Sequence, residues 1–298
     1  MRVGLMLGKP NKITISSTLI DVVRYLSPTQ HIATLSLLSK TLVDGSDSMP
    51  AAYFRFYGNL NDFLPPERQQ IEFPRRLKDR GSIKDTIEGV GVPHPEVSLI
   101  LVNGKSVSFD YLVQAGDRIS VYPQFTALDI THVSQVQPPP LPESRFVLDV
   151  HLGKLAAYLR ILGFDTLYRN DYDDDELAEI SSQENRILLT QDRGLLKRGK
   201  VTYGYAVRSP YPEEQIVEIL ERFELGNAIA PLQRCPRCNG TLKQVNKEQV
   251  LDRIPYYTRL TYDEFAQCQQ CQQVYWKGAH YSRIQALIDR IQDIDTSA

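Results

Sequence analysis

All four cysteines of the chain fall in two pairs, Cys235/Cys238 and Cys268/Cys271, each with two residues between its thiols. That spacing lets both sulfurs of one turn reach the same tetrahedral ion, and two such turns fill every position around it. Cys235, Cys238, Cys268 and Cys271 are therefore expected to hold a structural zinc in a module of the zinc-ribbon kind. The 29 residues between the pairs leave room for an inserted strand or helix. Redox chemistry at one CxxC needs a thioredoxin-like surround, which the duplication of the knuckle argues against. Thiols used this way fit a reducing compartment. The N-terminus carries Arg2 but no apolar stretch followed by small residues, so a cytoplasmic location is expected.

A chain of 298 residues has room for two or three domains besides such a module. No run of about 18 uncharged apolar residues occurs, so no membrane span is expected. With 34 basic and 36 acidic residues the net charge is -2, so contact with a polyanion would have to come from a local patch. Residues 232–283 hold eight Lys/Arg and four Asp/Glu, with Tyr256, Tyr257, Tyr262, Tyr275 and Trp276 interleaved. That mixture suits stacking of unpaired RNA bases beside phosphate contacts, and equally suits the core of a small module.

Upstream, the pattern alternates strand and helix. Phe146-Val147-Leu148 is a buried-strand run ending at Asp149, and Leu152, Leu155, Ala156, Leu159 and Leu162 share one helix face that Gly163 ends. Thr166 to Tyr168 is a second strand, Leu177 and Ile180 lie on a second helix, and Arg186 to Thr190 is a third strand followed by Asp192. Val201 to Val207 forms a fourth strand and Glu213 to Phe223 a further helix. Repeated βα units imply a parallel sheet flanked by helices, with its crevice beyond the carboxyl ends of the strands. Asp149 and Asp192 stand at that edge, while Asp174, Asp175 and Glu176 open the second helix. Gathered carboxylates repel one another unless a hard dication, Mg²⁺ or Mn²⁺, neutralises them. Such an ion could serve phosphodiester hydrolysis by water.

Asp173 has the spacing of a helix cap, and Glu176 could cap or ligate. His151 reads as a packing residue, because an all-oxygen site needs no imidazole. Lys154, Arg160 and Arg193, with Lys197 and Arg198, flank the acids and could hold phosphates.

Residues 126–144 are polar and end in Pro138-Pro139-Pro140-Leu141-Pro142, the composition of a semi-rigid polyproline spacer. Before it, Tyr53 to Tyr57 alternates as a strand, and Ser82 caps a short helix through Ile83 and Ile87 that Gly89 and Gly91 close. Short strands follow at Val97 to Val102 and Arg118 to Tyr122, giving a small α+β roll over 52–125. Residues 1–48 carry no chemical motif, and a domain could start at Met49.

The roll resembles the ubiquitin-like β-grasp domains related to small sulfur carriers, through Ile100-Leu101-Val102-Asn103-Gly104 and Gly116-Asp117-Arg118-Ile119-Ser120-Val121-Tyr122-Pro123. Those carriers act through a free terminal Gly-Gly, whereas here Pro123-Gln124-Phe125 runs on, so docking to a protein partner is the expected role. Residues 145 to about 290 resemble the Mut7-C RNase domain family, a branch of PIN-domain nucleases. The match runs through Phe146 to Ala156, Leu159 to Asp165, Asp174 to Leu177 and Leu188 to Arg193. The resemblance implies a metal-dependent ribonuclease with Asp149, Asp174 and Asp192 as Mg²⁺ or Mn²⁺ ligands and Glu176 as a fourth acid. PIN nucleases often place another acid after the next strand, and Arg208-Ser209-Pro210-Tyr211-Pro212 offers none.

The expected architecture is thus α/β: a PIN-like parallel sheet flanked by helices over 145–230, a zinc ribbon and terminal helix over 231–292, and an N-terminal α+β ubiquitin-like domain. The expected partner is RNA, single-stranded. The alternative is a non-catalytic RNA- or protein-binding module that keeps the fold and the zinc.

Overall fold

The alternation at the start of the roll becomes strand β1 (Ala51–Phe56), which buries Ala52, Phe54 and Phe56 and turns Tyr53 to water. The computed structural model describes residues 50–77, 81–125, 128–278, Tyr281 and Ala286. The extension at 1–48 and the terminal helix expected through Leu287, Ile288 and Ile291 lie outside the described residues. Strand β2 (Phe73–Arg76) runs antiparallel to β1 and forms one edge of the sheet. Helix α1 (Ile83–Val90) starts where the Ser82 hydroxyl accepts the Asp85 amide, and packs through Ile83 and Ile87. It stops at Gly91, whose φ of 118° a residue with a side chain would adopt only under strain. Asn103 and Gly104, both at positive φ, make the two-residue turn between β3 (Leu99–Val102) and β4 (Lys105–Ser106). Strand β5 (Arg118–Tyr122) then inserts between β1 and β3, parallel to the first and antiparallel to the second. The sheet order β2-β1-β5-β3-β4 over one helix is the expected β-grasp roll.

The second domain is built from β6 (Phe146–Leu148), α2 (Gly153–Ile161), β7 (Thr166–Leu167), α3 (Asp174–Glu184), β8 (Ile187–Thr190), α4 (Arg193–Leu196), β9 (Gly204–Ala206) and α5 (Pro212–Arg222). All four strands pair in parallel, in the order β7-β6-β8-β9. The expected fourth strand is shorter than its apolar run, because only Gly204–Ala206 pairs with β8. Period-2 alternation splits the sheet residues between two cores. Phe146, Leu148, Ile187 and Leu189 pack with Leu155 and Leu159 of α2 and with Ile216 and Ile219 of α5. Val147 and Leu188 pack on the opposite face with Leu177 of α3 and Leu196 of α4. Helices therefore cover both faces, as an all-parallel sheet requires.

Residues 128–144 do not form a free spacer. Ile130 and Val136 are buried, Ser134 Oγ donates to the Ser98 carbonyl, and Tyr203 Oη donates to that of Pro139. Two apolar anchors in an otherwise polar stretch suffice to lay it down as a strap. Beneath it the domains share one continuous core: Ile83, Val97 and Val102 of the roll, Val136 of the strap, and Leu188, Leu196 and Val201 of the second domain. Polar contacts close the seam. Glu96, 0% exposed, accepts from the Ala206 amide at 2.7 Å and from both Arg208 Nη atoms at 3.1 Å. Its carboxylate thus satisfies an N–H on edge strand β9. His94 sits with Nε2 2.8 Å from the Val201 carbonyl and Nδ1 2.6 Å from Glu88 Oε1.

The C-terminal module is an antiparallel sheet of β10 (Leu242–Val245), β11 (Phe265–Cys268) and β12 (Val274–Trp276), with β11 in the middle. The insertion between the knuckles carries helix α6 (Tyr256–Thr261). Among the described residues no helix is long and apolar enough to cross a membrane.

Candidate functional site

In the parallel sheet β6 is followed in sequence by β7 on one side and by β8 on the other. The chain thus reverses its direction of winding between β6 and β8, and the crevice opens at their carboxyl ends. Asp149 follows β6 and Asp192 follows β8 at this place. Asp149 is 7% exposed, and Oδ2 accepts a 2.6 Å bond from Thr190 Oγ1. The same hydroxyl accepts the Asp192 amide at 2.9 Å, so Thr190 ties the Asp149 carboxylate to the backbone of Asp192. Among the described residues no Lys or Arg stands within 4.0 Å of the Asp149 carboxylate. Asp192 Oδ1 accepts the Gly194 amide at 2.6 Å, opening α4. Gly153 is fixed by the same corner. A Cβ there would meet Tyr168 Oη at 2.6 Å, and that hydroxyl donates to the Val150 carbonyl.

The other two acids are engaged elsewhere. Asp174 Oδ2 is 3.3 Å from Arg198 Nη2, and Glu176 Oε1 is 3.3 Å from Arg169 Nη1. Asp173 caps α3 by accepting the Glu176 amide at 2.8 Å. The structure therefore ties the Asp149 carboxylate to the backbone of Asp192 through Thr190 and leaves Asp174 and Glu176 in exposed ion pairs, and among the described residues it gathers no three of these acids into one ligand group, contrary to expectation. His151 is exposed.

The cysteines converge. Their four sulfurs lie within 4.8 Å of one another, the sole group of three or more such ligand atoms among the described residues. Cys235 and Cys271 sulfurs are 3.6 Å apart, and those of Cys238 and Cys268 are 3.4 Å apart. Cys268 Sγ accepts the amides of Gln270 and Cys271 at 3.4 Å, and Tyr275 Oη stands 3.1 Å from Cys235 Sγ. Burial raises the Cys238 thiol. Burial acts the same way on Cys268, but the amides of Cys271 and Gln270 together with the thiols of Cys238 and Cys271 pull that thiol below its ordinary range. The cluster is compatible with a zinc ribbon. It is bolted to the sheet by Asn239, which accepts the Thr166 amide at 3.0 Å and donates to Asp165 Oδ1 at 2.8 Å.

Residues 144–288, which hold both this crevice and the cysteine cluster, match the Mut7-C RNAse domain, and residues 49–129 match the Mut7-C ubiquitin domain. The chain thus carries a Mut7-C RNAse domain preceded by a Mut7-C ubiquitin domain. No curated protein and no solved structure matches it. The Mut7-C RNAse domain is a nuclease-type family.

Of the three basic residues expected to hold phosphate in the Mut7-C domain, Lys154 is exposed on the first turn of α2. Arg160 is a correction. It is 5% exposed and donates to the carbonyls of Thr166 at 2.9 Å and Pro236 at 3.2 Å, so its charge clamps the first cysteine turn to β7. Arg193 turns to the ubiquitin domain, donating to the Phe63 carbonyl at 3.2 Å with its guanidinium 5.0 Å from the Phe63 ring. Arg208 stands 4.9 Å from that same ring, so Phe63 lies against two guanidiniums. Tyr262, Tyr275 and Trp276 pack in the ribbon's cores, whereas Tyr256 and Tyr257 on α6 are 64% and 80% exposed. Two residues escaped sequence reading. Thr190 had a signal, a hydroxyl ending a strand two residues before an acid; Glu96, in a proline-flanked turn of the other domain, had none.

Proposed function

We propose that the Mut7-C domain is a ribonuclease that uses Mg²⁺ or Mn²⁺ at Asp149 and Asp192, and that the four cysteines hold a structural zinc. The observation that carries the first reading is Asp149 itself: a nearly buried carboxylate, without a cationic side chain beside it among the described residues, at the switch point of the sheet. A buried charge is costly unless it is paired or bound to a metal. Mg²⁺ commonly uses only one or two carboxylates and takes its remaining ligands from water and substrate phosphate, which fits a pair of acids. Asp174 would join only after leaving Arg198, and Glu176 after leaving Arg169.

A bound dication would supply Lewis-acid polarisation of the scissile phosphate and of the attacking water. The chain's own groups do the rest. Thr190 orients Asp149 by donating to Oδ2 and thereby leaves Oδ1 free to ligate. Lys154, exposed on α2, would meet a phosphate of the strand, and exposed Tyr256 and Tyr257 would offer faces on which unpaired bases stack. For zinc, sulfurs about 2.3 Å from one tetrahedral ion lie about 3.8 Å apart, close to the separations between the thiols.

The arginine pairing of Asp174 and Glu176 favours a second reading, an RNA-binding module without catalysis. One comparison separates the two: Mn²⁺-dependent cleavage of single-stranded RNA by wild type and by Asp149→Asn. A loss on the order of 100-fold or more is expected for loss of a metal ligand. Equal rates would remove Asp149 from the mechanism, and no cleavage by wild type would leave the binding module.

A further inference from the structure

On the ubiquitin domain, edge strand β2 and the short 3₁₀ turn before it line a cleft of about 560 Å³. Arg68, Arg75 and Arg76 stand in its wall, and Asp85 is the acid among its lining residues. Asp85 is occupied, accepting the Ser82 hydroxyl at 2.7 Å. None of the three arginines makes an ion pair among the described residues, in a domain where Arg118 pairs with Glu72 at 2.9 Å. The Arg68 guanidinium is held 5.2 Å from the Phe73 ring, and a Cβ at Gly89 would come within 3.2 Å of Arg75 Nη2. Two of the three are thus fixed by packing against β2 and α1.

Proline and charge on an edge strand also discourage strand addition, and Pro74, Arg75 and Arg76 serve that end. Edge protection does not require a third arginine from a separate turn to face the same hollow. Three guanidiniums around one cleft, none of them in an ion pair among the described residues, in a chain of net charge -2 form the local basic patch that a polyanion needs.

We propose that this cleft binds the phosphate backbone of the RNA strand that is cut at Asp149 and Asp192, so that the ubiquitin domain is part of the substrate-binding surface; the inference rests on the nuclease reading above. Chain length links the two places. Phe63, whose carbonyl accepts Arg193 next to Asp192, is five residues from Arg68, a span of at most about 18 Å. One single strand a few nucleotides long can bridge that distance. Backbone contacts carry no base information, so the cleft sets register and affinity and leaves sequence unread.

The test uses the full zinc-loaded chain in an Asp149→Asn background with Mg²⁺ and Mn²⁺ left out and no chelator added, so that binding is read without cleavage and with the ribbon intact. A labelled 12-nucleotide single-stranded RNA is titrated by fluorescence anisotropy at several salt concentrations. Replacing Arg68, Arg75 and Arg76 together by Gln should weaken binding alike for unrelated sequences. It should also flatten the plot of log affinity against log salt by about 2, at roughly 0.7 for each phosphate no longer neutralised. Arg76→Gln alone, at an exposed position that cannot unfold the domain, should flatten it by about 0.7. Unchanged affinity and slope in both variants would overturn the proposal. So would unchanged RNA binding with loss of binding to an acidic peptide, which would assign the cleft to a protein partner. If wild type binds RNA with the steeper slope yet cleaves none, the nuclease reading fails and the cleft stands.

Discussion

Removing Arg208 should destabilise the whole folded unit, because it is the cation that pairs with the buried carboxylate of Glu96. The carboxylate is 0% exposed and receives the Ala206 amide at 2.7 Å and the two guanidinium nitrogens at 3.1 Å. Arg208→Met keeps the volume of the side-chain stem and strands the buried carboxylate, a change that typically costs about 3–5 kcal/mol. Glu96→Gln keeps an acceptor for the Ala206 amide and leaves Arg208, which is partly exposed, to find water. Its cost should be about 1–3 kcal/mol. In the double variant the stranded charge is gone, so the combined loss should fall short of the sum by more than about 1 kcal/mol. Urea unfolding of the full chain, followed by circular dichroism, reads all four corners of the cycle. A loss below about 0.5 kcal/mol for Arg208→Met, or strict additivity, would refute the claim that this pair is buried and mutually dependent.

Two other outcomes follow from the ribbon and its mooring. Metal analysis should find one zinc per chain, and Cys235→Ser or chelation should release it and open amide exchange in β10, β11 and β12 before β6 and β8; a purified folded chain without zinc would refute the site. Asp165 carries the pH dependence. Burial would raise its carboxyl, but hydrogen bonds from Arg186 and Asn239, with the charges of Arg186 and Arg234, hold it below the ordinary 3.8. A carboxyl more acidic in the folded chain than in the unfolded one stabilises fully above about pH 4 and loses that contribution as pH falls through its folded value. Asp165→Asn should therefore be most costly at neutral pH, and the gap from wild type should shrink on acidification. A gap that stays constant from about pH 7 to pH 3 would contradict the ion-pair assignment.

Features with a local period were legible in the sequence. The cysteine spacing gives the ribbon, and the apolar residues at 152, 155, 156 and 159 give α2 with its buried face. Asp149 and Asp192 read as strand-end acids because each closely follows a run of apolar residues. Side chains that act at long sequence separation were not legible. Arg160 looks from its neighbours like a cation beside the acids, yet its partner carbonyl at Pro236 is 76 positions away. Glu96 and Arg208 are 112 positions apart and belong to different domains, so no window of sequence contains both. Asp174 and Glu176 fulfil the pattern of an acidic helix start, and only the fold reveals that Arg198 and Arg169 come back to meet them.

The strap from Leu128 to Ser144 has a consequence for anyone wishing to study the halves apart. A cut within it would peel Val136 from its seat and bare Leu177, Leu188, Leu196 and Val201, a greasy face that water would penalise and neighbouring copies would seek out. It would also leave Glu96 as an orphan anion on one fragment. The two domains are separable on paper, but in the molecule they should melt in a single transition, and a shortened Mut7-C fragment should survive only with surface redesign.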